Sequence, residues 1–201
     1  MNKNNAIISE AMVYVNKLLL PLEGLYYHQY NHSLEVMERC VYLGKEEKLN
    51  SEEIEILALA GLFHDTGFVI QYDDNEYIGA KIARNYLTSV LYSNEKIKII
   101  ERLILATQAS YREPKDILEK IIKDADLDNL GRDDFFEKKN KMKKELETIK
   151  KIKMKDPEWD HASLVLLNEH KYFTDSQKKE REGKKIENRR ILESMLKELQ
   201  D

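Results

Sequence analysis

The chain has 201 residues, a formal net charge of −4, one cysteine, seven Gly and three Pro. That length supports one domain with a substantial core and leaves little room for two, the charge gives no global drive towards nucleic acid or an anionic membrane, and Cys40 alone excludes an intrachain disulfide and fits a reducing compartment. With 42% hydrophobic and 35% charged residues, the composition favours a helical protein with solvated outer faces over a turn-rich β fold. No stretch reaches the roughly eighteen apolar residues of a membrane span, and the first five residues lack an apolar signal core, so a cytoplasmic location is expected.

Taken in chain order, Ile7, Ile8, Ala11, Met12, Val15, Leu18 and Leu19 recur at helical spacing and predict a core-facing helix over residues 5–20, stopped by Pro21. After a loop through Gly24, the apolar face Leu34, Val36, Met37, Cys40, Val41 and Leu43 predicts a helix over 31–46 with His32 in its first turn. Cys40 reads there as a small buried hydrophobe. Asn50 or Ser51 caps a third helix whose first turn holds Glu52 and Glu53, and Gly67 lies just past its end. Because residues 56–62 are apolar on every side, this helix is expected to cross the centre of the domain.

Residues 68–74 read as a loop, and Asp74 or Asn75 caps a helix on the stripe Ile78, Ile82, Tyr86. Another helix spans 94–108 on Ile97, Ile100 and Ile104. The next opens with Pro114 and carries Leu118, Ile122 and Asp126 in steps of four, which puts Asp126 on the buried face. From Asp133 to Lys155 a lysine-dense helix turns Phe135, Phe136, Met142, Leu146 and Ile149 inward, and Pro157 interrupts it. Its lysines read as a solvated face, because no aromatic or glycine-rich pattern accompanies them. Helices over 159–171 and 184–199 complete an all-α array with no strand-like alternation and no internal repeat.

Chemistry concentrates in His64-Asp65, at the end of the apolar run 57–67, where charge is costly unless it is paired or coordinates a cation. Two more residues of metal-competent type stand elsewhere: His32, in Tyr27-His28-Gln29-Tyr30-Asn31-His32, and Asp126, in Lys123-Asp124-Ala125-Asp126-Leu127-Asp128. Alone, His32 reads as a surface or satisfied core histidine and Asp126 as a cap. Jointly, two imidazoles and two carboxylates make an N/O site suited to one divalent ion, Mn²⁺ first, with Co²⁺, Ni²⁺, Fe²⁺, Zn²⁺ or Mg²⁺ as alternatives. Four such ligands leave two octahedral positions for a water and a phosphoryl oxygen.

The order His32, His64-Asp65, Asp126, with the flanks Tyr27-His28-x-x-x-His32, Phe63-His64-Asp65, Asp74-Asn75-Glu76 and Asp124-Ala125-Asp126-Leu127-x-x-Leu130-Gly131, resembles the HD-domain superfamily of metal-dependent phosphohydrolases, in its small predicted-phosphohydrolase branch. The resemblance covers residues 25–131 and, more loosely, the phrase His170-Lys171-Tyr172-Phe173-Thr174. It implies an HD-domain-like helical bundle with the metal site in a central cleft. It also implies one HD-type domain over 1–201, with a metal-binding core over 25–131 and a helical extension over 132–201 packed on it. His32, His64, Asp65 and Asp126 are then the ligands, and Asp65 also steers the attacking water. Members with two metals add histidines after the His-Asp pair; residues 66–160 contain none, and Thr107-Gln108 stands where one is expected, which favours a single ion. The alarmone-hydrolase branch carries acidic residues where this chain has Phe68 and Val69, so its substrate is not transferred.

His28, four residues before His32, could protonate a leaving group as general acid or serve only as a loop histidine. Asp73, Asp74 and Glu76 offer a general base or, more simply, an N-cap cluster. Asp128 reads as solvated or capping, and His161 and His170 as structural, with His170 at a helix C-terminus. Lys81, Arg84 and Arg112 are the candidate phosphate-binding cations, Arg84 favoured for its place inside a helix. The reading is a metal-dependent phosphohydrolase acting on a small phosphorylated metabolite, with a nucleotide as first choice. A metal-containing nucleotide-binding or signalling module with little turnover is the alternative. The expected partner is that small substrate; neither membrane nor nucleic acid is expected, and the amphipathic outer helices are compatible with a homodimer.

Overall fold

The computed structural model of the chain describes residues 3–20, 22–111 and 113–198. Pro21, the expected stop of the first helix, lies outside them. Among the described residues the protein is all-α: α1 (Lys3–Leu19), α2 (Tyr30–Glu46), α3 (Ser51–Phe63), α4 (Asn75–Ser89), α5 (Asn94–Ala106), α6 (Ile117–Asp126), α7 (Phe135–Lys150), α8 (Asp156–Glu169) and α9 (Asp175–Glu198), with short 3-10 turns at Thr66–Val69 and Asp128–Gly131. None of these helices is long and apolar enough to cross a membrane. The helices form two compact units, one of Met1–Glu23 with His28–Asp126, the other of Gly24–Tyr27 with Leu127–Asp201.

In the first unit α3 is the axis. Asn50 caps it with a reciprocal capping box to Glu53, and every residue from Glu55 to Phe63 is buried, as a segment with no polar face requires. Around it pack Ala11, Val15 and Leu19 of α1, Val36, Cys40 and Leu43 of α2, Ala83 and Leu87 of α4, Ile97 and Ile104 of α5, and Ile121 and Ile122 of α6. Each large side chain so buried contributes about 1.5–3 kcal/mol. Cys40 sits in this core as an inert thiol whose pKa burial pushes up.

α2 and α3 approach closely. A Cβ at Gly61 would meet Cys40 Sγ and the Met37 backbone at 3.2 Å, so the missing side chain lets the two helices that carry His32 and His64 come together. On α4 the fully buried residues include Gly79, Ala80, Ala83 and Leu87, while Ile82 and Tyr86 of the expected stripe pack against the core from partly buried positions. Small residues carry little apolar signal, yet they allow the tighter packing.

The segment expected as a loop at 68–74 begins inside the 3-10 turn at Thr66–Val69. Pro114 lies ahead of α6, which starts at Ile117; there Asp116 accepts the Glu119 amide at 2.9 Å. Pro157 occupies the first turn of α8, where its missing N–H costs nothing. Before it, α7 has already ended, at the left-handed residue Lys151 (φ 53°).

The second unit has a smaller apolar core of Leu130, Phe135, Leu167 and Leu192, supplemented by buried charge. Asp128 is buried rather than solvated: it accepts Gln177 Nε2 at 3.0 Å and Arg181 Nε at 2.7 Å. Glu145, fully buried on α7, accepts the backbone N–H groups of Tyr26 and Tyr27 at 2.8 Å each. Lys139 is also buried rather than solvated, in an ion pair with Asp160. The last helix starts at Asp175, nine residues before the apolar periodicity shows it, with the Gln177 amide donating to Thr174 Oγ1. His170 caps the C-terminus of α8 as expected.

Candidate metal centre

Three helix ends meet in the first unit. His32 lies in the first turn of α2, Asp126 is the last residue of α6, and His64 and Asp65 follow the last turn of α3. Two neighbours on an ideal helix point about 100° apart. Here His64 keeps helical angles while Asp65 shifts to φ −98°, ψ 5° as the chain tightens into the 3-10 turn, and both side chains reach one point. Thr66 Oγ1 fixes the change of path by donating to the Phe63 carbonyl at 2.7 Å.

His64 Nε2 stands 3.0 Å from Asp65 Oδ2 and 3.3 Å from Asp126 Oδ1. His32 Nε2 stands 3.4 Å from each of the same two oxygens. Ligand atoms of His32, His64 and Asp126 all lie within 4.8 Å of one another. The contact of His64 Nδ1 with the Gly61 carbonyl at 2.8 Å selects the tautomer, because that carbonyl can only accept. Nδ1 therefore carries the proton and Nε2 presents a lone pair to the cluster. His64 Nε2 and Asp65 Oδ2 are buried, and neither has a hydrogen bond of ordinary geometry. With His64 neutral, two buried acceptors face each other at 3.0 Å and repel unless positive charge, a cation or a second proton on the imidazole, lies between them. The donor set and its orientation thus fit a divalent cation.

Without an ion the same crowding shows in the titration of the four groups. Burial pulls His32 below the usual histidine range, against the pull of Asp126 and Asp65. At His64 burial acts in the same sense, but the two carboxylates outweigh it and hold the imidazole well above that range. Burial pushes up the carboxyl pKa of buried Asp65 and of half-buried Asp126, yet the neighbouring imidazoles keep both below the usual carboxylate range.

The family model of the HD domain matches residues 30–128, a segment that contains all four of these side chains. That match is consistent with the HD-domain superfamily of metal-dependent phosphohydrolases. No curated protein matches the chain, and no solved structure does. HD domains bind divalent metals and are in general metal-dependent hydrolases; His32, His64 and Asp126 are a group that could hold one.

The other candidates from the sequence fall at different places. His28 stands beside the cluster: its ring stacks on Phe68 (centroids 4.3 Å apart) and lies edge-on to His32 at 5.9 Å and to Tyr72 at 6.2 Å. Arg84 is engaged by Glu101 of α5 in a two-pronged ion pair. Lys81 is exposed on α4, and Arg112 lies outside the described residues. Asp74 holds the N-cap position of α4 in a left-handed conformation (φ 55°) but makes no side-chain capping bond, contrary to the capping reading. Half-buried Glu76 in the next turn has its carboxyl pKa raised, first by burial and then by the charges of Asp65 and Asp126, so it is electrostatically part of the cluster.

Proposed function

We propose that this HD domain is a mononuclear metal-dependent phosphohydrolase acting on a small phosphorylated metabolite, with a nucleotide as the preferred class. The observation that carries the reading is the lone pair of His64 Nε2, turned by Gly61 towards two carboxylates and a second imidazole. His32, His64, Asp65 and Asp126 hold one divalent ion, Mn²⁺ before the other transition metals. When bound, the ion supplies Lewis-acid polarisation of a phosphoryl oxygen and acidifies a coordinated water.

The protein's own groups do the rest. Asp65 orients the attacking water and takes its proton, while the new P–O bond forms in line and the bond to the leaving group breaks. His28 delivers a proton to the departing oxygen; its stacking on Phe68 supports this role by holding the imidazole beside the cluster. Lys81, Arg84 and Arg112 are cations to be tested for contact with the substrate phosphate.

A panel of nucleoside mono-, di- and triphosphates and generic phosphoesters, assayed with Mn²⁺ and with chelator, tests the proposal. Metal-dependent release of phosphate or pyrophosphate is expected. Binding of nucleotide without turnover would instead favour a signalling module built on the same site.

A further inference from the structure

The four ligand side chains do not share exposure equally. Those of His32, His64 and Asp65 are 4%, 2% and 9% exposed, and that of Asp126 is 22% exposed. The cluster therefore opens to solvent along the end of α6, and a substrate oxygen must arrive beside Asp126. Two carboxylates largely cancel the charge of a divalent ion, so an incoming phosphate group needs a further cation on that open side.

One lysine meets that requirement. Lys123 precedes Asp126 by three residues on α6, a spacing that places both on one helix face, and both are half-buried there. Its Nζ donates to the Ala106 carbonyl at the end of α5 (3.0 Å) and lies 5.9 Å from the centre of the Tyr111 ring. An ammonium has three N–H donors; Ala106 takes one, and among the described residues no carboxylate is ion-paired with Lys123. Burial pulls its pKa below the usual lysine range, and the carboxylate that most opposes this is Asp126, so its charge is felt at the open ligand.

Its surroundings are fixed by a second buried acid. Glu119, one turn earlier on α6 and fully buried, accepts the Tyr111 hydroxyl at 2.8 Å and the Lys115 amide at 2.7 Å and pairs with Arg102. The loop between α5 and α6 is thereby tied down, with Tyr111 set against Lys123. Arg84, by contrast, already has Glu101.

We infer that Lys123 is the residue that binds the substrate's phosphoryl oxygens beside Asp126. The inference rests on the phosphohydrolase reading and supplies its anion-binding group.

The test uses inorganic phosphate as probe and the Mn²⁺-loaded full chain as protein, so that it reads binding and not turnover. By calorimetry, K123M is expected to weaken phosphate binding at least about tenfold, or 1.4 kcal/mol, with metal content unchanged, and K123R to recover part of the loss. In the unsubstituted protein, phosphate is expected to protect Lys123 but not Lys81 from acetylation by acetic anhydride, a measurement that stands even if a variant folds poorly. Phosphate binding by K123M equal to that of the parent, equal acetylation of Lys123 with and without phosphate, or no phosphate binding by the parent would each overturn the inference. Lys123-dependent phosphate binding together with a wholly inactive substrate panel would uphold it while the hydrolase reading failed.

Discussion

Gly67 lies directly against the backbone of Asn75. A Cβ at position 67 would overlap the Asn75 carbonyl oxygen and stand 2.6 Å from its carbon and 2.9 Å from Gly79 N. Gly79 faces the other way, with a Cβ there placed 2.8 Å from the His64 carbonyl oxygen. This pair of glycines lets the start of α4 close on the stretch that carries His64 and Asp65. The φ of Gly67 is not left-handed, so its importance comes from lack of volume and not from backbone freedom.

G67A is accordingly expected to destabilise the protein by about 1–3 kcal/mol or more, because the obstacle is backbone that cannot swing aside. Metal affinity should fall with it, since Asp65 is two residues away. Urea unfolding and Mn²⁺ titration check both; a variant with the parent's midpoint and metal affinity would show that the close contact constrains nothing.

Asp65 sits 3.0 Å from one imidazole and 3.4 Å from the other, so D65A should bind metal at least about tenfold more weakly and lose hydrolysis. Elemental analysis of the reconstituted parent should give one ion per chain. Two ions per chain, or activity retained in D65A, would move the chemistry elsewhere.

Chelation should lower thermal stability. A ligand at 100 times its Kd contributes about 2.7 kcal/mol to the state that binds it, which for a chain of this size is a shift of about 5–10 °C. The melting temperature should recover on adding Mn²⁺ to the chelated parent, and D65A should show a much smaller response. An identical Tm with and without metal would count against a site held between α2, α3 and α6.

Glu119 provides a pH test away from the metal ligands. Burial alone would raise its pKa, but the Lys115 amide, the Tyr111 hydroxyl and Arg102 hold it below the usual range. A depressed native pKa means that ionised Glu119 stabilises the fold above the unfolded value of about 4.3, and that this contribution is lost as pH falls through the native value. E119Q should therefore cost about 1–3 kcal/mol at pH 7, and the gap from the parent should narrow as pH falls below about 4.3. A gap independent of pH in that range would mean that ionisation of Glu119 is not what stabilises the loop.

Much of the site was legible because its chemistry is carried by residue types that are costly to bury. His64-Asp65 at the end of an apolar run announced itself, and His32 and Asp126 lay on helical faces that periodicity could assign. Ion-pair partners were not legible: nothing in the chain order says that Glu101 takes Arg84 or that Arg181 and Gln177 take Asp128. The first nine residues of α9 were missed because they contain no apolar period to read, and the fully buried residues of α4 because glycine and alanine carry little signal. Lys123 carries no sequence signal beside the stripe Leu118, Ile122, Asp126; its place is set by the Ala106 carbonyl and the Tyr111 ring, which lie elsewhere in the chain.

On the proposed function, the span of chain between His32 and Asp126, about ninety residues, would give a bound ion a mechanical part to play. A ligand set drawn from both ends of that span would act as a removable cross-link around nearly the whole HD domain, and closing so long a loop carries a large entropic cost in the unfolded chain. With the clasp shut, α2, α3 and α6 should open to solvent exchange together; with it open, each should fray on its own schedule. Metal supply would then set the rate at which proteases find the chain as well as the rate at which it turns over substrate.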